Sequence, residues 1–172
     1  MKNKANMYLM CGCSGSGKTT YAKELAETLG IEYIGVDDFY ALVNGDECIH
    51  KNKFDVWMKF WQAIHDLEVA GKSCVIDTNA LTIHQRKEFV EWFPTFEHHL
   101  IYIGANIKLR VENNKKRKRK VPDSVMDEMT RKLEIPTLGT DRDFVTITHI
   151  RNENNMYKEV IIFERECKTW IP

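Results

Sequence analysis

The sequence predicts an α/β fold: a central, mostly parallel sheet flanked by helices. Two observations carry this. Short apolar runs alternate with amphipathic stretches along the chain. Helical spacing fills the gaps between the first four apolar runs, so those strands run parallel and right-handed crossovers wind the sheet on both faces. The length of 172 residues suits one domain with a full core, and we expect a single domain over residues 1–172.

Residues 7–11 read as the first strand, followed by a Gly/Ser loop and a helix from Lys18 to Leu29. Gly30 suits the left-handed position past that helix. Glu32 to Val36 reads as a short strand ending in Asp37-Asp38. Phe54 to Ala70 repeats apolar residues at helical spacing, and Gly71 ends it. Ser73 to Ile76 is an apolar strand before Asp77. Thr82 to Phe93 reads as a helix with Thr82 as its N-cap and Pro94 after its end. Leu100 to Ile103 is the fourth strand, Asn106 to about Lys118 a basic helix, and Pro122 to Leu133 another helix. Phe144–Ile150 and Glu159–Phe163 read as strands, with the polar run Arg151 to Asn155 as the turn between them.

Composition narrows the classes. Hydrophobic residues make up 43% and charged residues 29%, which excludes a disordered or collagen-like chain. No apolar run approaches the roughly 20 residues of a membrane span, and the stretch at 7–11 is too short for a signal peptide. The five cysteines are odd in number and scattered, so reduced thiols and a cytoplasmic location are expected. Lys+Arg and Asp+Glu both number 25, so the net charge is zero, and a protein coated in positive charge is excluded.

The strongest motif is Gly12-Cys13-Ser14-Gly15-Ser16-Gly17-Lys18-Thr19, a full match to the Walker A pattern G-x-x-x-x-G-K-[ST] between a strand and a helix. Glycines let the backbone amides curl around a phosphate, and the helix N-terminus adds a favourable dipole. Lys18 neutralises β- and γ-phosphate charge, and the Thr19 hydroxyl suits Mg²⁺. Thr20 completes the nucleotide-binding stretch. Asp77, at the end of the third strand, stands where an acid holds Mg²⁺ in such proteins. These residues predict a P-loop fold with a site for a nucleoside triphosphate and Mg²⁺, without yet separating kinases from GTPases, motor ATPases or assembly proteins.

Asp37 and Asp38 stand at the end of the second strand, where a carboxylate can accept a hydroxyl proton and align the oxygen on the γ-phosphate. An Asp pair capping the next helix is the plainer reading. The run Lys115-Lys116-Arg117-Lys118-Arg119-Lys120 gives residues 108–120 a net charge of +7. A solvated basic face, a nuclear localisation signal and a helical lid over the transferring phosphate all fit this run. Lysines beside a lid arginine also suit the phosphates of a nucleic acid.

Together these blocks resemble the kinase domain of phage-type polynucleotide kinases, over roughly residues 7–138. The resemblance rests on the phosphate loop, on Asp37-Asp38-Phe39-Tyr40, on Val75-Ile76-Asp77-Thr78-Asn79, and on Asn114-Lys115-Lys116-Arg117 followed by Val121-Pro122. It implies a P-loop kinase fold and phosphoryl transfer from ATP to the 5′-hydroxyl end of DNA or RNA. It assigns the general base to Asp37 and the lid arginine to Arg117, with Lys116 or Arg119 as other placements, in a lid spanning about 108–135. It implies substrate contacts at Asp38, Tyr40, Thr78, Asn79 and Arg86. Two departures stand out: Ser14 replaces the usual proline, and no arginine lies near Tyr40, so Lys51 or Lys53 would have to hold an acceptor phosphate. A hydroxymethylated base, a nucleoside or another small alcohol are alternative acceptors, and a non-catalytic ATP-binding module is the rival from another class. Phe39 and Tyr40 are candidates to stack on a nucleobase. His98-His99 and the tryptophans Trp57, Trp61 and Trp92 read as structural.

Overall fold

The structure is a computed structural model, and it describes residues 4–46 and 48–164. Cys167 lies outside the described residues. Six strands form one sheet: β1 (Asn6–Cys11), β2 (Glu32–Gly35), β3 (Cys74–Asp77), β4 (Glu97–Ala105), β5 (Thr146–Glu153) and β6 (Met156–Glu164). The helices are α1 (Lys18–Leu29), α2 (Val36–Asn44), α3 (Lys53–Ala70), α4 (Ile83–Trp92), α5 (Ile107–Lys116) and α6 (Asp123–Lys132). The strand order is β2-β3-β1-β4-β5-β6. Pairing is parallel from β2 through β5, and only β6 runs antiparallel, on β5.

Alternation along β1 builds two cores. Met7, Leu9 and Cys11 face one side, where Phe60 and Ile64 of α3 and Phe89 of α4 cover them. Met10 faces the other side, against Ala22 and Ala26 of α1. The small alanines of α1 let its backbone sit close to the sheet. Trp57 and Trp61 pack on the α3–α4 side and serve the core, whereas Trp92 meets Trp61 edge-on but is 51% exposed.

Several element boundaries differ from the expectations. β4 spans nine residues rather than four, because its polar histidines find partners, His98 at the end of α4 and His99 in the neighbouring strands. His98 bonds the Phe93 carbonyl at 2.9 Å, and His99 bonds Thr146 and Asn6 at 2.8 and 2.9 Å. Arg151 to Glu153 continue β5, and the hairpin turns on Asn154 and Asn155 alone, both at positive φ. Asp37 and Asp38 lie in the first turn of α2, not at a strand end, where they favour the helix dipole. The basic helix ends at Lys116, so residues 117–120 form an arch. The N-cap of α4 is as expected: Thr82 and Gln85 form a reciprocal capping box. No helix among the described residues is long and apolar enough to cross a membrane.

The buried histidines make stability depend on pH. Burial lowers both imidazole pKa values below the ordinary 6.5. Above 6.5 the histidines are neutral in the folded and unfolded states alike. Below it the unfolded chain takes up protons that the folded chain refuses, so stability falls until pH drops beneath the folded values. The urea midpoint is expected to decline from about pH 7.5 to about pH 5, and His98→Gln should flatten part of that slope.

Candidate active site

β1 is the central strand where the winding direction reverses, with β3 on one side and β4 on the other. Ligands bind in the crevice at the carboxyl ends of such strands. The loop Gly12–Gly17 leaves β1 at that point and enters α1. Gly15 and Gly17 have φ of +79° and +96°. A Cβ at Gly15 would meet the Arg110 carbonyl oxygen, and one at Gly17 would lie 2.6 Å from the Asn152 amide nitrogen. The tight, left-handed path is therefore open only to glycine. Cys13, Ser14 and Ser16 are buried behind the loop, and Gly12 donates to the Asn79 carbonyl at 3.0 Å.

A cavity of 380 Å³ lies over the loop. Lys18, Thr19 and Thr20 line its floor, Asp77, Thr78 and Asn79 one wall, and Asp37 another. Arg117 and Arg119 reach in from the arch. Lys18 is only 7% exposed, and its ammonium donates to the Cys13 carbonyl at 3.1 Å. Burial lowers its pKa below 10.5, and the nearby Asp77 opposes that shift. A buried lysine with donors to spare suits a polyanion. Asp77 Oδ2 accepts from the Tyr33 hydroxyl at 3.0 Å. Burial, and then Asp77 itself, push the Tyr33 pKa far up, so the phenol stays a proton donor and orients the carboxylate.

The residues present fit a nucleotide with Mg²⁺. The glycines let the loop follow a left-handed path packed tightly against Arg110 and Asn152 on its outer side, with its other side lining the cavity. Thr19 and Asp77 supply hydroxyl and carboxylate oxygens on the same cavity, the small hard donor set that Mg²⁺ uses alongside phosphate oxygens and water.

The arch follows from one side chain. Asn114 is buried, and its amide both donates to the Val121 carbonyl at 2.7 Å and accepts from the Val121 amide at 2.9 Å. This clasp closes the segment between, and the bends at residues 117–119 sort its cations. Arg117 and Arg119 are half-buried toward the cavity, while Lys115, Lys116, Lys118 and Lys120 are exposed. Arg119 forms an ion pair with Asp37 at 2.6 Å. Arg119, rather than Arg117, is thus the cation in contact with the expected base, and Lys116 lies outside the cavity lining.

Several expected substrate residues stand elsewhere. Tyr40 is 5% exposed and stacks on His50 with centroids 4.0 Å apart. Phe39 meets Phe60 edge-on, so both rings pack the loop instead of offering a platform for a base. Asp38 is exposed outside the cavity lining. Arg86 is fully buried and forks onto Asp141 at 2.5 and 3.1 Å. Its remaining nitrogen donates to the carbonyls of Ala80, Leu81 and Glu134. Arg86 is a strut beneath the loop that carries Thr78 and Asn79. Arg86→Met leaves Asp141 buried without its charge partner, and a loss of about 3–5 kcal/mol is expected. Urea unfolding checks this, and the pair Arg86→Met with Asp141→Leu should recover part of the loss.

Asn113 and Asn155, which the motifs did not single out, also line the cavity. They bond each other at 3.1 Å across α5 and the β5–β6 turn. Only their positions in space, 42 residues apart in sequence, bring them to the site.

Fold and cavity together define a P-loop nucleotide-binding domain of the kinase-like type. Residues 7–136 match the AAA domain family (AAA_33), and the chain belongs to that family. No curated protein matches the sequence. Among solved structures, it is similar to a sugar kinase from Janibacter sp. HTCC2649, at 19% identity over 86% of this chain and 85% of that one, with a TM-score of 0.64. A gluconokinase from Sinorhizobium meliloti 1021 is 20% identical over 87% and 84%, with a TM-score of 0.58. A chain of the Pnkp1/Rnl/Hen1 RNA repair complex matches 98% of this chain and 51% of its own, at 14% identity and a TM-score of 0.68. These likenesses establish the fold.

Proposed function

We propose that the protein transfers the γ-phosphoryl group of ATP to a hydroxyl, and that the acceptor is the 5′-hydroxyl end of DNA or RNA. One observation carries the first part. Asp37 shares a single cavity with the phosphate loop, so a hydroxyl held by its carboxylate stands before the terminal phosphate.

Each residue then has a task. The loop amides and Lys18 hold the β- and γ-phosphates. Thr19 and Asp77 would hold Mg²⁺, with Tyr33 fixing the carboxylate. A bound Mg²⁺ would supply positive charge to neutralise the phosphates there. Asp37 aligns the hydroxyl and takes its proton as the oxygen attacks. Arg117 and Arg119 offset negative charge on the transferring group. The entering hydroxyl must displace Arg119 from Asp37, and the freed guanidinium is then available to the phosphoryl oxygens.

The exposed lysines favour a nucleic-acid end. Lys115, Lys116, Lys118 and Lys120 edge the arch outside the cavity, where they can meet backbone phosphates while the terminal hydroxyl enters. The named complex among the structural neighbours is one of RNA repair. A small alcohol is the second reading. It is favoured by the uncharged, buried Tyr40 beside the base and by neighbours described as a sugar kinase and a gluconokinase. Labelled ATP offered with 5′-hydroxyl DNA, 5′-hydroxyl RNA, hydroxymethylated DNA, nucleosides and sugars separates the two. Label on oligonucleotide ends is the expected result, and label confined to nucleosides or sugars would sink the polynucleotide acceptor.

A further inference from the structure

The outer side of the phosphate loop is held as closely as its inner side is open. Four consecutive carbonyls each accept a hydrogen bond from a different side chain. Arg110 Nε donates to Ser14 at 3.1 Å, Asn113 Nδ2 to Gly15 at 3.0 Å, Asn152 Nδ2 to Ser16 at 2.8 Å, and the Tyr157 hydroxyl to Gly17 at 2.8 Å. Two donors come from α5 and two from the β5–β6 hairpin.

The peptide plane gives this pattern its meaning. In a trans peptide the N–H of one residue points opposite to the C=O before it. The chain holds no cis bond among the described residues. Drawing the carbonyls of Ser14, Ser16 and Gly17 outward therefore turns the amides of Gly15, Gly17 and Lys18 toward the cavity, while the Ser16 amide donates to the Cys13 carbonyl at 3.3 Å. Without the donors, glycines at positive φ leave the loop free to rotate those peptides. Holding the carbonyls removes that freedom before any phosphate arrives.

A second observation argues against mere packing. Asn152 is 1% exposed, and its Oδ1 has no hydrogen-bond partner among the described residues. A buried amide with an unpaired acceptor costs stability. That cost is consistent with a position kept for the bond its other end makes. The bonds of Arg110 reach further. The same guanidinium that holds Ser14 also donates to Thr130 Oγ1 at 2.9 Å and to the Met126 carbonyl at 3.3 Å, both in α6. Loop, arch root and α6 are thereby joined through one side chain.

We propose that Arg110, Asn113, Asn152 and Tyr157 are positioning residues that preset the phosphate loop for a polyphosphate, with Arg110 tying that state to the lid helices. The proposal rests on the nucleotide reading above and deepens it. It gives the β5–β6 hairpin, which lies beyond the family match at residues 7–136, a part in the site.

Titration calorimetry with Mg·ADP tests it, beside thermal unfolding without nucleotide. Tyr157→Phe removes one hydroxyl, and Asn113→Ala one amide. Each is expected to weaken ADP about three- to tenfold, the net worth of a single hydrogen bond, with at most a small fall in the unliganded melting temperature. Lys158→Ala, on the same hairpin but outside the clamp, should bind like the wild type. Arg110→Lys cannot span Ser14 and α6 together and should weaken ADP further. Should it fail to fold, the first two variants still decide the matter. Unchanged ADP affinity in both Tyr157→Phe and Asn113→Ala, beside a wild type that binds, would overturn the clamp alone. A lowered melting temperature with unchanged affinity would do the same, by leaving only a structural role. Failure of the wild type to bind ADP would overturn the nucleotide reading, and the clamp with it.

Discussion

Lys18→Ala is expected to reduce phosphoryl transfer by about a thousandfold or more. Removing one preorganised donor from a transition-state site costs about 10²–10³ in rate, and here the donor is also the buried positive charge on the cavity floor. Lys18 also holds the Cys13 carbonyl, so the variant loses a contact within the loop as well as one to phosphate. Nucleotide affinity should fall together with kcat. The buried core does not depend on this ammonium, so the unfolding midpoint should stay close to that of the wild type. Single-turnover transfer, with ADP affinity measured in parallel, checks the result. Transfer within about tenfold of normal, far short of the loss expected for such a donor, would remove Lys18 from the mechanism.

Asp37→Asn should separate binding from chemistry. Asparagine keeps the size of the side chain and still accepts a bond from Arg119, yet it takes up no proton. A positioned general base contributes about 10²–10⁴ in rate, so kcat is expected to drop by that order while ADP binds with near-wild-type affinity. Near-normal turnover would show that another group orients the acceptor. Arg119→Ala is the informative companion. It frees the carboxylate but removes a cation from the transferring phosphate, so a fall in rate would mean that Arg119 serves catalysis after leaving Asp37.

The parts of the site that are legible in the sequence are those whose chemistry is local. The phosphate loop must be contiguous, because successive amides of one turn surround one phosphate. Gly12 to Thr19 therefore read as a site without any structure. Asp77 is equally plain, as an acid closing an apolar strand. The family resemblance draws Tyr40 and Arg86 toward the site, and the fold takes both elsewhere. Tyr40 follows Asp37 by three places, on the same side of α2, but it is buried in a stack with His50. Arg86 faces the core because Asp141, 55 residues away, is there to meet it.

The arch shows the boundary between the two kinds of information most clearly. A net charge of +7 over residues 108–120 is readable, and the zero total never excludes it. Which cations turn inward is not readable. That choice depends on where the Asn114 clasp ends α5 and on the bends that follow, which turn Arg117 and Arg119 toward the cavity and leave Lys118 and Lys120 exposed.

Periodicity and one contiguous motif thus determined the winding of the sheet, the place of the phosphate loop and the acid beside it. Each of these is a short-range property, set by residues within a turn or a strand of each other. The tertiary structure alone decided the partner of Asp37, the burial of Arg86 and the four side chains that grip the loop. Those depend on donors and acceptors up to 140 residues apart, as between Gly17 and Tyr157, which only the closed sheet brings within hydrogen-bond reach.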